Sequence, residues 1–88
     1  ELSQLLNENA VWLIKLSGFT DNIGTDNFNL MLSKRRAETV KRALVKRGVG
    51  AERFTVKYFG KNYPVASNFN EEGRQKNRRV EMLIVKKK

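Results

Sequence analysis

The stretch Gly18 to Val40, GFTDNIGTDNFNLMLSKRRAETV, joins the end of one apolar run to a long amphipathic helix. Its polar first half, broken by Gly24, reads as a turn. The helix is expected from about Asn27 or Asn29 to Arg47, capped by Asp26 or Asn27 and stopped by Gly48 and Gly50. Upstream, AVWLIKLSG reads as a strand buried on most of both faces and central in its sheet. Trp12, Ile14 and Leu16 line one face, and Val11, Leu13 and Lys15 the other. Downstream, Arg53 to Gly60 alternates as a second strand, EEGRQKN behind Asn70 forms a short helix, and RRVEMLIV closes as a strand with Val80, Met82 and Ile84 on one side. Leu2, Leu5 and Leu6 recur at helical spacing in residues 1–7, and Lys86 to Lys88 form a solvated tail. The order is helix, strand, helix, strand, short helix, strand, which implies helices packed on a sheet. Three strands make a narrow sheet, and a strand ahead of residue 1 would complete it. The chain opens in mid-element and reads as a piece of a longer protein.

The chain's 88 residues suffice for one domain. With 40% hydrophobic and 31% charged residues it is globular in type, and no apolar run approaches the length of a membrane-spanning helix. The absence of cysteine removes disulfides and thiolate metal sites, and the absence of histidine removes the commonest general base and metal ligand. No metal, cofactor or catalytic residue is expected. Eighteen Lys and Arg against nine Asp and Glu leave a net charge of +9, which points to an anionic partner: nucleic acid, an anionic membrane surface or an acidic polymer.

Two residues stand out. On a helical wheel centred on Val40, Ser33, Ala37, Ala43 and Leu44, with Leu30 and Leu32 at its edges, define the buried stripe, and Arg36 falls about 40° from the centre, inside it. Arg47 also falls near the stripe, but at the helix end, where its side chain reaches water. A buried guanidinium without an anion costs several kcal/mol. Periodicity alone favours an internal salt bridge from Arg36 to Asp21, Asp26 or Glu81 over capture of a ligand carboxylate or phosphate. It likewise favours an Asx-turn role for Asp21 in DNIG. Against that, a loop leaving the carboxyl end of a strand beside a helix start is where α/β sheets place ligands.

GFTDNIG, then NFNLMLSKRRA, then GRQKNRRVE resemble the peptidoglycan-binding domain of outer-membrane protein A-like (OmpA-like) proteins, a module also found in peptidoglycan-associated lipoproteins and flagellar stator proteins. The resemblance runs from about Val11 to Val85. It implies an α/β (α+β) fold, a β-α-β-α-β-β sandwich of helices on a mixed sheet, with the family's first strand lying before Glu1. Residues 1–88 are then one domain, truncated at its N-terminus. It also implies a non-enzymatic periplasmic module that anchors the outer membrane or a membrane protein to the wall. Its partner is the diaminopimelate of the peptidoglycan stem, with membrane attachment only through the missing N-terminal region. The family's TD aspartate corresponds to Asp21 and its LSxxRA arginine to Arg36, fifteen positions on. Asn29 and Arg78 correspond to supporting ligand contacts, and Asn77 and Arg79 to structural positions. Where the family often has His, this chain has Phe19, whose side chain is expected to pack. One acid and one arginine are the minimal complement to the ammonium and carboxylate on one carbon of diaminopimelate.

The main alternative is a basic nucleic-acid-binding domain, suggested by KRRAETVKRALVKR. Glu38 interrupts that run, and Trp12, Phe54 and Tyr58 sit at buried strand spacing, leaving no stacking platform. A two-carboxylate glycosidase is the third class, but the nine acids are scattered and form no convincing pair.

Overall fold

The apolar run after Asn9 becomes β1 (Leu13–Gly18), the middle strand of a three-stranded sheet in a computed structural model that describes residues 1–86. Before it lies α1 (Leu2–Glu8), and after it α2 (Asp26–Lys46), β2 (Phe54–Tyr58), α3 (Glu71–Asn77) and β3 (Val80–Val85). Of the expected lysine tail, Lys86 is exposed, and Lys87 and Lys88 lie outside the described residues. β1 runs parallel to β2 and antiparallel to β3, with Leu16 beside Val56 and Met82. The carboxyl ends of β1 and β2 and the start of β3 therefore meet at one end of the sheet. The sheet is mixed and central β1 is as expected, and the short helix read from EEGRQKN is present between β2 and β3.

The core is Leu6, Ile14, Leu16, Ala37, Leu44 and Val49, with Val80, Met82 and Ile84 packed against it. Fully burying one such aliphatic side chain contributes about 1.5–3 kcal/mol. Both α1 and α2 feed this one core, so they share a face of the sheet. That corrects the expectation that β1 is buried on both sides: Leu13 is 39% exposed and Lys15 is also exposed. In α1 only Ser3 and Leu6 are buried, while Leu2 and Leu5 face outward.

α2 begins one residue earlier than the sequence suggests. Its N-cap is Thr25, whose hydroxyl accepts from the Phe28 N–H at 3.1 Å. The buried stripe is also rotated. Asn29, Ser33, Ala37 and Leu44 are buried, whereas Ala43 is exposed and Val40 only half-buried. The reason is the placement of α2 over β1 and β2, which leaves its β3-facing flank open. Arg36 lies on that flank.

Gly18 allows the close approach of β1 to α2, since a Cβ there would collide with the Ser33 carbonyl oxygen. Ser33 Oγ accepts from the Gly60 N–H at 3.0 Å and donates to the Leu30 carbonyl at 2.8 Å. Gly60, at φ +59°, turns the chain as it leaves β2, and its carbonyl accepts from the Thr20 N–H at 2.7 Å. At the other end of the sheet, buried Arg53 donates to the Trp12 and Asn9 carbonyls at 3.0 and 2.8 Å, fastening the α1–β1 connection.

Candidate functional site

The loop leaving β1 is buried through Phe19, Thr20 and Asp21. Phe19 packs, as expected: its ring stacks on Phe59 at 5.3 Å and lies 3.8 Å beneath the Arg79 guanidinium carbon. Asp21 does two things at once. Its Oδ1 accepts from the Ile23 N–H at 2.9 Å, which is the Asx turn, and its Oδ2 accepts from Arg78 Nη1 at 2.8 Å. Arg78 Nη2 in turn donates to Glu71 Oε1 at 2.7 Å. Burial pushes the Asp21 carboxyl up, but the Ile23 N–H and the Arg78 guanidinium together outweigh it and hold it below its ordinary value. The hydrogen bond from Arg78 does the same to Glu71, and the two acids raise Arg78.

Arg36 forms no ion pair among the described residues, so the expected internal salt bridge is not made. Each candidate acid has another partner: Asp21 has Arg78, Asp26 has Lys61 at 2.9 Å, and Glu81 has Arg79 at 2.6 Å. Nη1 of Arg36 is buried with no hydrogen-bond partner. The side chain lines an open concavity of about 410 Å³ with Thr39, Val40, Arg78, Arg79 and Val80. Asn29 is 1% exposed, and its Nδ2 likewise has no partner.

Arg78 is thus the hinge of the arrangement. It touches Asp21 on one side and shares a concavity with Arg36 on the other. Asn29 does not line that concavity; it is buried beneath the turn at Gly60. Glu71 was not foreseen. The only trace of it in the sequence is an acid in the first turn of a short helix, seven positions before Arg78. Asn77 is structural, as expected. Its Oδ1 accepts from the Val65 and Ala66 N–H groups at 2.8 and 3.0 Å, and its Nδ2 donates to the Ala66 carbonyl and Asn68 Oδ1 at 3.0 and 2.8 Å. Arg79 is anchored by Glu81 and by the Tyr63 carbonyl at 3.1 Å. Among the described residues no acidic cluster is arranged to hold a metal ion. The concavity thus carries an unpartnered guanidinium N–H of Arg36, and Arg78 on its wall reaches the Asp21 carboxylate.

The fold recurs in known proteins. Outer membrane porin F of Pseudomonas fluorescens is 50% identical over 71 residues, covering 81% of this chain and 22% of that protein. Peptidoglycan-binding protein ArfA of Mycobacterium bovis is 42% identical over 71 residues, with the same coverage of 81% and 22%. The chain thus spans about a fifth of the length of these two relatives. The crystal structure of the peptidoglycan-associated lipoprotein from Burkholderia pseudomallei superposes with a TM-score of 0.91 at 36% identity, covering 94% of this chain and 70% of that one. Residues 1–78, which carry α1 through Arg78 and so nearly all of the site, match the OmpA family model, and the chain belongs to the OmpA family.

Proposed function

We infer that the chain binds cell-wall peptidoglycan non-covalently, through the diaminopimelate of the peptide stem. The observation that carries this reading is the unpartnered Nη1 of Arg36, buried beside an open concavity while Asp21, Asp26 and Glu81 each pair with another base. A ligand carboxylate there would take a forked pair of hydrogen bonds from Arg36. Asp21 would accept from the ammonium on the same ligand carbon. Each of its oxygens holds one donor, and a carboxylate has about four acceptor sites, so capacity remains. Arg78 fixes the Asp21 carboxylate and adds positive charge on the carboxylate side. Asn29 supports the site from α2.

The names of two relatives support the polymer: one is called peptidoglycan-binding, the other a peptidoglycan-associated lipoprotein. Each charged hydrogen bond contributes about 1.5–3 kcal/mol, so one stem is held modestly. A polymer with many stems makes up the difference through rebinding at high local concentration. The role that follows is a periplasmic anchor between the wall and the outer membrane or a membrane protein, with no chemical step. Titration with a diaminopimelate-containing stem peptide, followed by amide chemical shifts, tests it. Saturable shifts at Asp21, Asn29 and Arg36 are expected. Shifts confined to the basic face of α2, lost steeply with salt, would overturn it in favour of a polyanion.

A further inference from the structure

Three guanidinium groups stand on the wall of one concavity: those of Arg36, Arg78 and Arg79. Their states differ. Arg79 is taken by Glu81 at 2.6 Å and by the Asn77 and Tyr63 carbonyls at 3.3 and 3.1 Å. Arg78 is taken at both tips of its fork, by Asp21 at 2.8 Å and by Glu71 at 2.7 Å. Of the three, Arg36 alone forms no ion pair among the described residues, and it keeps a buried N–H without a partner.

The helix places Glu71 for its part. It is the first residue of α3, behind the Asn70 cap, and Arg74 and Arg78 follow on the same face. Its Oε1 accepts from Arg78, and its Oε2 lies 3.9 Å from Arg74 Nε. The Glu71 side chain is 58% exposed, and an ion pair so exposed adds little to stability. Its effect falls instead on the charge at the site. Glu72, one position on, is exposed and forms no ion pair among the described residues.

The chain carries a net charge of +9, and three arginines on one wall would by themselves favour any small anion. Asp21, Glu71 and Glu81 set three carboxylates against these three guanidinium groups, so the charges around the concavity balance. A balanced site with one unmet donor on Arg36 and spare acceptor capacity on Asp21 suits a group that carries both charges. A lone carboxylate meets no excess of positive charge there. Removing the charge of Glu71 tips the balance by one positive charge at Arg78 and favours the lone carboxylate.

We propose that Glu71 is a specificity-determining residue: by offsetting Arg78 it makes the site select a stem end bearing both an ammonium and a carboxylate over one bearing a carboxylate alone. The proposal rests on the function inferred above. The test compares two stem peptides by calorimetry. One contains diaminopimelate, and the other 2-aminopimelate, which keeps the far carboxylate and lacks the far ammonium. Glu71→Gln keeps an oxygen for Arg78 and removes the charge; Glu72→Gln removes the same charge without touching Arg78. Wild type and Glu72→Gln are expected to prefer the diaminopimelate stem by the same factor. In Glu71→Gln that factor is expected to shrink about threefold or more, through tighter binding of the 2-aminopimelate stem. An unchanged factor in Glu71→Gln overturns the proposal. So does an equal loss for both stems or a variant that fails to fold, either of which marks a structural role, and so does the same shift in Glu72→Gln, which marks an effect of net charge. A wild type that binds neither stem overturns the inferred function together with this proposal, whereas one that binds the diaminopimelate stem with a preference indifferent to Glu71→Gln overturns this proposal alone.

Discussion

Arg78 reaches across 57 positions of chain to Asp21, its Nη1 donating to Oδ2 at 2.8 Å, and so ties the end of α3 to the loop after β1. The contact is partly sheltered, with the Asp21 side chain 11% exposed. It decides how the site responds to acid.

Because the folded-state pKa of Asp21 lies below its ordinary value of 3.8, its ionised form stabilises the fold above that value. The contribution fades as pH falls through the lower, folded pKa. Asp21→Asn is therefore expected to lower stability by about 1.5–3 kcal/mol near neutral pH, the usual worth of a charged hydrogen bond. The gap between variant and wild type should close as pH drops below about 4. Thermal melts across pH 2–7 measure it, and a gap that stays constant into acid would show that the carboxylate's charge is immaterial to the fold.

Gly18→Ala places a methyl group against the Ser33 backbone carbonyl, which is held within α2 and cannot turn aside. The strand and helix would have to separate. A loss of about 3 kcal/mol or more is expected in urea unfolding, at the upper end for overpacking. A variant within about 1 kcal/mol of wild type would mean the interface yields easily.

Much of this was readable from residue order. Alternation and helical spacing located five elements, because each has an apolar stripe that shows its period; α3, which has none, was legible from the Asn70 cap and the acids that follow it. Burial was read less well. Val11 and Leu13 made the second face of β1 look apolar, yet only the face of Ile14 and Leu16 is covered, and Lys15 and Ser17 mark the other as the open one. The rotated stripe of α2 follows from its seat over β1 and β2, a tertiary choice that leaves Ala43 exposed and Arg36 at an open flank. For Asp21 the Asx turn was legible from DNIG, whereas its bond to Arg78 was not, since no periodicity links residues 57 apart.

Asn77 has both ends of its amide occupied by the segment from Val65 to Asn68. Asn77→Leu is close in size but supplies no acceptor, leaving the Val65 and Ala66 N–H groups unsatisfied. Each unsatisfied group costs about 1–3 kcal/mol, so a total of about 2–6 kcal/mol is expected. Amide hydrogen exchange should quicken first at Val65 and Ala66. Unchanged protection there would mean that the segment is held by its other contacts.

Arg36 offers the sharpest separation of binding from folding. A residue kept for structure loses stability when replaced; one kept for a ligand need not. Arg36 has a buried donor without a partner and no ion pair among the described residues, so the folded state already bears the cost of desolvating it. Arg36→Met keeps most of the aliphatic stem and removes the charge. The variant is expected to match wild type in urea unfolding or exceed it by up to about 1 kcal/mol. Co-sedimentation with purified peptidoglycan should fall at least about tenfold, the effect of one lost charge-assisted contact. If Arg36→Met instead unfolds readily and still pellets with the wall when folded, the guanidinium is a structural element of α2 and the ligand site lies elsewhere.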